Sequence, residues 1–221
     1  MHNQPIINLT FHGVGPCERS LAPGERDVWV GLEPFLDVLD AAAERGDVTI
    51  TFDDGNASDV EIALPALRER DLTARFFVVA GRVGIPGFVD DQGIRALADA
   101  GMTIGSHGML HRRWRSLDDR SLSEELVDSR RVLEEIVERP VTDAACPFGS
   151  YDRRVLRRLR RCGYNHVYTS DRGMARPTAW LQTRNTVRRG DGADLLARIS
   201  SRPPAHERLA RRVRRTAKRW R

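Results

Sequence analysis

Short apolar runs alternate with amphipathic stretches along most of the chain. The apolar runs are rich in β-branched and aromatic residues and predict strands at residues 6–11, 48–52, 73–81, 102–107, 143–149 and 165–170. Between them, apolar positions at helical spacing predict helices at residues 32–46, 58–70, 90–101, 121–138 and 151–163. Regular alternation of strand and helix predicts an α/β fold with a mostly parallel sheet.

Length and composition indicate one globular domain rather than a membrane or disordered protein. The chain has 221 residues, of which 40% are hydrophobic and 30% charged, and no run approaches the roughly 18 apolar residues of a spanning helix. The first residues lack the basic and apolar regions of a secretory signal. Three irregularly spaced cysteines, Cys17, Cys146 and Cys162, fit reduced thiols. We therefore expect a cytoplasmic protein.

The positive charge is concentrated at the end of the chain. Residues 207–221 contain eight basic residues and one Glu, a net charge of +7, so the rest carries −2 of the total +5. We accordingly divide the chain into one domain over 1–200 and a basic tail over 201–221. The tail has an apolar stripe at helical spacing, formed by Leu209, Val213, Ala217 and Trp220. An anionic membrane surface, weak packing on the domain and, less favoured, nucleic acid are the three readings of this pattern.

Polar side chains collect just after the predicted strands. His12, the pair Asp53–Asp54, His107 and the segment 147–149 each follow one of them. Because the carboxyl ends of parallel strands meet at one rim, and that rim is where chemistry collects in such folds, we expect these residues to share one site.

Asp53, Asp54, His107 and His111 have the chemistry of a hydrolytic metal centre. Two histidines four residues apart would share one face of a helical turn, and a carboxylate would complete a set of three ligands with open positions. Neighbouring aspartates on a strand point in different directions, so one can bind the ion while the other acts as a base. Taken singly, Asp-Asp-Gly is commonly a turn and a histidine pair is commonly structural; together at strand ends they favour the metal site.

These residues resemble the polysaccharide deacetylases of carbohydrate esterase family 4. The resemblance spans about residues 6–190 and rests on three motifs: Thr51-Phe52-Asp53-Asp54-Gly55, Ser106-His107 with His111, and Pro147-Phe148-Gly149. It implies a distorted (β/α) barrel with about seven parallel strands. It also implies hydrolysis of a sugar acetyl group with the help of a divalent metal, Zn above all, with Co or Ni as alternatives.

The resemblance assigns roles by position. Asp54, His107 and His111 would hold the metal, and Asp53 would be the general base. The backbone N–H of Phe148 would stabilise the oxyanion, beside Pro147.

Two departures from the family pattern affect catalysis. Ala145 stands where the family has the Arg that positions the base, and we hypothesise that Arg184 supplies the guanidinium instead. The late motif that carries the general acid is missing. A circularly permuted branch of the family has that histidine near the amino terminus, where His12 would fit; His166 is expected to be structural.

Several other side chains could contact a substrate. Trp180 could stack on a sugar face, although single tryptophans more often pack in the core. Arg112 and Arg113 could meet a substrate phosphate or lie in solvent. Cys146 lacks the base and orienting group that a nucleophile needs.

The sequence thus predicts a metal-dependent N-deacetylase of a sugar or glycan precursor, which the tail would fit to surface-polysaccharide synthesis. Two alternatives are a hydrolase of small cyclic amides or ureides on the same scaffold and a non-catalytic glycan-binding module. Either would keep the metal site, and only the deacetylase would release acetate.

Overall fold

The computed structural model of the protein describes residues 4–17, 19–201, 209, 213 and 216–218. Within these residues the strands are β1 Ile7–Phe11, β2 Val48–Asp54, β3 Ala74–Val78, β4 Thr103–Ser106, β5 Asp143–Ala145, β6 His166–Thr169, β7 Leu181–Thr183 and β8 Asn185–Thr186. The α-helices are α1 Leu32–Ala43, α2 Leu64–Arg68, α3 Asp91–Asp99, α4 Asp119–Ser123, α5 Ser129–Val137, α6 Arg153–Arg161 and α7 Asp194–Ser200.

All eight strands form one parallel sheet that curls into a nearly closed barrel. The strand order is β7-β6-β5-β4-β3-β2-β1-β8, and every pairing is parallel. β7 and β8 are separated only by Arg184, yet β7 pairs with β6 and β8 pairs with β1. One short segment therefore closes the barrel, and the eight strands correspond closely to the expected count. The α/β fold class is confirmed.

Aromatic side chains from three neighbouring strands stack between the sheet and its helices. Phe11, Phe52 and Phe76 lie at paired positions of β1, β2 and β3, with ring centroids 5.4 Å and 4.7 Å apart. Phe35 of α1 packs edge-on against Phe11 at 5.1 Å. Since side chains alternate along a strand, this register turns Thr51 and Asp53 toward the opposite face, inside the barrel.

Two predicted helices contain π-helical segments. Residues Asp59–Ala63 precede α2, and Glu124–Asp128 join α4 to α5. Such wide turns are frequently found at functional sites. Each buries a carboxylic acid, Asp59 or Glu125, which a regular amphipathic pattern would not predict.

Only part of the basic tail lies within the described residues. Leu209 and Val213 are exposed, whereas the Lys218 ammonium donates to Asp171 at 2.7 Å and to the Gly149 carbonyl at 3.2 Å. Trp220, the last member of the predicted stripe, lies outside the described residues. Across the described residues, no helix combines the length and apolar character needed to cross a membrane.

Candidate active site

The predicted site residues meet at the carboxyl rim of the barrel. Asp53 and Asp54 end β2, and His107 directly follows β4. Phe148 comes three residues after β5, and Arg184 lies between β7 and β8. Parallel strands bring these separate sequence positions to one edge, as the motif positions predict.

Asp54, His107 and His111 form a compact set of candidate metal ligands. One ligand atom from each lies within 4.8 Å of the others. The His111 Nε2 atom is 3.2 Å from Asp54 Oδ1, and the His107 Nε2 atom is 3.9 Å from it. Asp54 Oδ1 is buried without a hydrogen-bond partner among the described residues. A carboxylate and two imidazoles around such an atom fit a divalent ion, and they fit Zn well.

Electrostatics keep the ligand set in its metal-binding form. Burial lowers the pKa of His107, and burial together with the charge of His107 lowers the pKa of His111 to about 4. Burial opposes ionisation of Asp54, but the nearby histidines outweigh it and lower its pKa. At neutral pH the site therefore offers neutral imidazoles and an ionised carboxylate, which are the states that bind metal.

The two histidines are brought together by a loop, not by the helical turn that the spacing predicts. Gly108 and His111 both have left-handed backbone conformations, with φ of 86° and 54°. The His107 Nδ1–H group donates a hydrogen bond to the Ala145 carbonyl oxygen at 2.9 Å. This bond leaves Nε2 free to face Asp54. The proximity is as predicted, but its physical basis is different.

Buried Glu125 shapes this loop. Its carboxylate accepts the backbone N–H groups of Met109 and Leu110 at 3.1 and 3.0 Å. It also accepts from Arg112 at 2.8 Å and from the Trp114 indole at 3.2 Å. A Cβ atom on Gly108 would come within 2.2 Å of the same carboxylate. Glu125 is thus a positioning residue that sequence reasoning missed, since it resembles any acid of an exposed helix.

Backbone strain is concentrated at the site. Asp54, His111 and Phe148 have φ of 80°, 54° and 56°, a region that side chains other than glycine rarely adopt. Residues held this way cluster at active sites, where the surrounding structure compensates for the cost.

Arg184 forms a bidentate ion pair with Asp53, as hypothesised from the sequence. Its Nη1 and Nη2 atoms lie 2.6 and 2.7 Å from the two carboxylate oxygens, and Nη1 also donates to the Thr51 hydroxyl at 3.1 Å. Both side chains of the ion pair are buried. The guanidinium therefore reaches Asp53 from the junction of β7 and β8, although the family pattern expects it from position 145.

The size of Ala145 makes room for this arrangement. Ala145 is buried in a small cluster with Phe77 and Tyr168. The Arg184 guanidinium carbon lies 5.2 Å from the Phe77 ring centre and 5.8 Å from that of Tyr168. An alanine at position 145 and an arginine at position 184 together provide one guanidinium in this region of the site.

The ion pair also sets the charge of the base. Burial would raise the pKa of Asp53, but the charge and hydrogen bonds of Arg184, with His107, hold it well below its usual range. Asp59 behaves in the opposite way, because burial and the charges of Asp54 and Asp53 raise its pKa well above its usual value. Asp53 is thus ionised at neutral pH, while Asp59 favours its neutral form.

His12 lies at the same rim, directly after β1. Its Nδ1 atom is buried with no hydrogen-bond partner among residues 4–17 and 19–201 or the described tail residues. Its proximity contributes to the lowered pKa values of Asp54 and Asp53.

Other residues singled out in the sequence are placed elsewhere or already occupied. Trp180 precedes β7 at the opposite end of the barrel, where its indole donates to the Tyr164 carbonyl at 2.8 Å, so the structure does not bring it to the site. His166 lies 3.2 Å from Asp143, in line with its structural reading. Burial raises the pKa of the Cys146 thiol, which disfavours a nucleophilic thiolate.

The fold and the site together define a parallel (β/α) barrel with a candidate metal centre and a paired acid at its carboxyl rim. Residues 40–167, more than half of the chain, match the family model for polysaccharide deacetylases, and the chain belongs to that family. The resemblance to carbohydrate esterase family 4 is thereby confirmed.

One curated protein is similar to this chain in sequence. YxkH of Bacillus subtilis (strain 168), named "Putative polysaccharide deacetylase YxkH", is 25% identical over 145 residues, 66% of this chain and 52% of that protein. The chain thus spans about half the length of this curated relative.

Two solved structures superpose over most of the barrel. The deacetylase PplD of Streptococcus pyogenes, solved in complex with acetate, has a TM-score of 0.79 at 18% identity and covers 90% of this chain and 100% of its own. IcaB from Ammonifex degensii has a TM-score of 0.72 at 24% identity and covers 83% of this chain and 91% of its own.

Proposed function

We propose that the protein is a metal-dependent deacetylase that hydrolyses the N-acetyl group of a sugar or glycan precursor. The observation that carries this proposal is the adjacency of two groups with different tasks. Asp54, His107 and His111 can hold a divalent ion. Asp53 is instead paired with Arg184, which leaves it to act as a base.

Each of these groups has its own role in the proposed reaction. A divalent ion, when bound, lowers the pKa of a water molecule toward about 7 and polarises the acetyl carbonyl. Asp53 accepts the proton of the attacking water, and Arg184 holds its carboxylate in one orientation and ionised. The His107 Nδ1–H bond to the Ala145 carbonyl fixes the tautomer that points Nε2 at the site.

Two further groups complete the proposed reaction. The backbone N–H of Phe148, next to Pro147, meets the negative charge that develops on the acetyl oxygen. His12 protonates the departing amine, a role consistent with its Nδ1 atom, which has no hydrogen-bond partner among the described residues.

The structure bears on one of the two alternatives, the non-catalytic binding module. A binding module that lost its base support would show an isolated Asp53, but the acid is fully paired with Arg184. A cavity of about 400 Å³ lies among Pro16, Arg19, Trp29, Ser58 and Glu61, and none of the candidate metal-binding or catalytic residues lines it. The small cyclic amide is therefore tested by assay.

The decisive assay is acetate release from N-acetylated glucosamine oligosaccharides, compared between the wild-type protein and Asp53→Asn. Release that the substitution abolishes supports the deacetylase and assigns its base. Hydrolysis of cyclic amides without acetate release would transfer the proposal to the alternative enzyme class. Sugar binding with no turnover of any substrate would indicate the binding module.

We further propose that the basic tail contacts an anionic membrane surface, where a glycan precursor for a surface polysaccharide would be met. Exposed Leu209 and Val213 lie among arginines, the combination that inserts at lipid headgroups. The protein should co-sediment with phosphatidylglycerol vesicles. The double variant Leu209→Gln, Val213→Gln should weaken that binding several-fold. Equal binding by the double variant would contradict the proposal, and salt-sensitive binding of RNA but not vesicles would favour nucleic acid.

A further inference from the structure

Arg82, beside the candidate metal centre, and Arg113, which packs on Phe148, form no ion pair shorter than 3.6 Å among the described residues. Arg82 ends the turn Ala80–Arg82 that follows β3, and therefore reaches the same rim as the site. Its Nη1 atom lies 3.6 Å from Asp54 Oδ1, and its Nη2 atom lies 3.5 Å from His111 Nδ1. Its guanidinium also lies 5.0 Å from the Phe88 ring centre, which helps to hold its direction.

Arg113 is connected to the site by the ring of Phe148. Its guanidinium carbon lies 4.4 Å from the centre of the Phe148 ring, and that ring lies 4.5 Å from the ring of His111. Arg113 and Phe148 are both exposed. Among the residues that the structure describes, Arg113 has no ion pair, whereas its neighbour Arg112 is held by Glu124 and Glu125.

Occupation of the metal site would free Arg82 as well. An ion bound by Asp54 draws that carboxylate's charge to itself, and a histidine that ligates through Nε2 keeps its proton on Nδ1. The His111 Nδ1 atom could then no longer accept from Arg82, because a guanidinium N–H and an imidazole N–H do not form a hydrogen bond. Arg82 would then have N–H donors available for a bound ligand.

The charges around the site are mostly paired within it. Asp53 is held by Arg184, and Glu124 and Glu125 are held by Arg112. Arg82 has only its 3.6 Å contact with Asp54, and exposed Arg113 forms no ion pair among the described residues. Arg82 and Arg113 are thus the cations with charge left to attract an anion.

We infer that the substrate carries an anionic group close to the acetyl group that is removed, and that Arg82 and Arg113 bind this group. The inference rests on the proposed deacetylase function and narrows its substrate class to an acetylated sugar bearing a phosphate or a carboxylate. A guanidinium matches either oxyanion in a two-pronged geometry.

The test compares three substrates that share an N-acetylglucosamine ring. Methyl N-acetylglucosaminide is neutral, N-acetylglucosamine 1-phosphate carries a phosphate, and N-acetylmuramic acid carries a carboxylate. One charge-assisted contact changes binding by about tenfold or more, so kcat/KM for the preferred anionic substrate should exceed that for the neutral sugar by at least about tenfold. The better of the two anionic substrates identifies the group.

Arg113→Gln should reduce this preference about tenfold, mainly by raising KM for the anionic substrate. Arg115→Gln removes an exposed arginine two residues away and should leave the preference intact. Zn content is measured in each variant, so that a lost metal is not mistaken for a lost contact. The preference of the wild-type protein should also shrink as ionic strength rises from about 0.01 M to about 0.3 M.

Equal kcat/KM for the charged and neutral sugars, or an unchanged preference in Arg113→Gln, would overturn the inference while leaving the deacetylase function standing. If no sugar releases acetate, calorimetric binding of the same three compounds to the Zn-loaded protein decides the matter. Tighter binding of an anionic sugar, lost in Arg113→Gln, would support the anion site although the proposed reaction had failed. Equal binding would refute it.

Discussion

At the scale of single residues, the ion pair of Asp53 with Arg184 determines the protonation of the base. The folded-state pKa of Asp53 is lowered, so the pair stabilises the fold above the ordinary aspartate pKa of about 3.9. That stabilisation is lost as the pH falls through the folded-state value. In the proposed reaction the same ionised state accepts a proton from water, so stability and activity would depend on one contact.

Arg184→Gln should therefore move the acidic limb of the kcat/KM profile to higher pH. Without the guanidinium, burial dominates and raises the pKa of Asp53, so the base is protonated over more of the acidic range. Breaking a buried pair also costs about 3–5 kcal/mol of unfolding free energy, which urea unfolding will measure.

A relocation variant separates the positioning role from the structural one. Ala145→Arg combined with Arg184→Ala puts the guanidinium back at the position of the family motif, beside the space that Arg184 vacates. We expect the acidic limb to return part of the way toward the wild-type pH. A folded Arg184→Gln protein with an unshifted acidic limb would show that Arg184 does not control the base.

Glu125 makes a second prediction at this scale. Each oxygen of the Glu125 carboxylate accepts two hydrogen bonds. In Glu125→Gln an amide NH₂ replaces one of these oxygens. Its N–H groups would then face two N–H donors at the loop that carries His111. Substitutions behind metal ligands typically weaken metal binding about 10–100-fold, and a Zn titration against a chromogenic chelator will measure this. Glu124→Gln is the matched control, because Glu124 is half-exposed and contacts Arg112 alone among these groups. Equal Zn affinity in the two variants would remove Glu125 from the positioning machinery.

At the scale of elements, the closure of the barrel rests on a short polar segment. The Asn8 amide of β1 donates to the Gln182 side chain at 3.1 Å and to the Thr183 carbonyl at 2.9 Å. These buried hydrogen bonds connect β7, at one end of the strand order, with β1, which pairs with β8 at the other end. Arg184 lies at this junction, so closure and positioning of the base are coupled.

Asn8→Ala should lower the free energy of unfolding by about 1–3 kcal/mol, because it leaves buried partners unsatisfied. Hydrogen exchange of residues 181–186 should accelerate in the same variant. Exposed Asn165→Ala serves as the control and should stay within about 0.5 kcal/mol of the wild-type protein. Unchanged exchange in Asn8→Ala would show that closure does not depend on this side chain.

The closing segment also shows which elements the sequence can predict. Strands such as β2 and β3 are apolar runs and follow from composition alone. Residues 181–186 are mostly polar, and β8 within them pairs with β1, more than 170 residues away in the chain. The pattern of apolar positions therefore predicts most of the barrel and a strand end near Arg184, but not that β8 pairs with β1.

The site divides in the same way. Asp53, Asp54, His107 and His111 were predictable because each follows a strand or lies in a specific motif. The loop that carries His111 was not, because its shape is set by a buried carboxylate from a distant π-helical turn. Local spacing favours a helical turn there, and tertiary hydrogen bonds override it.

At the scale of the whole molecule, metal binding should be visible as stability. An ion that binds only the folded chain stabilises it by mass action, by about 2.7 kcal/mol at a free concentration 100 times its Kd. Zn should therefore raise the Tm of chelator-treated protein, and His107→Ala should abolish most of that rise. A Zn-dependent shift of equal size in His107→Ala would place the ion elsewhere.

The central claim, that one divalent ion held by Asp54, His107 and His111 enables deacetylation, is tested most directly by titrating metal-stripped protein with Zn. Acetate release from an N-acetylated glucosamine oligosaccharide is followed at each step of the titration. The account predicts no release at the start, a linear rise, and saturation at one equivalent of Zn. Full activity in the stripped protein, or saturation at one bound equivalent with no acetate released, would contradict it.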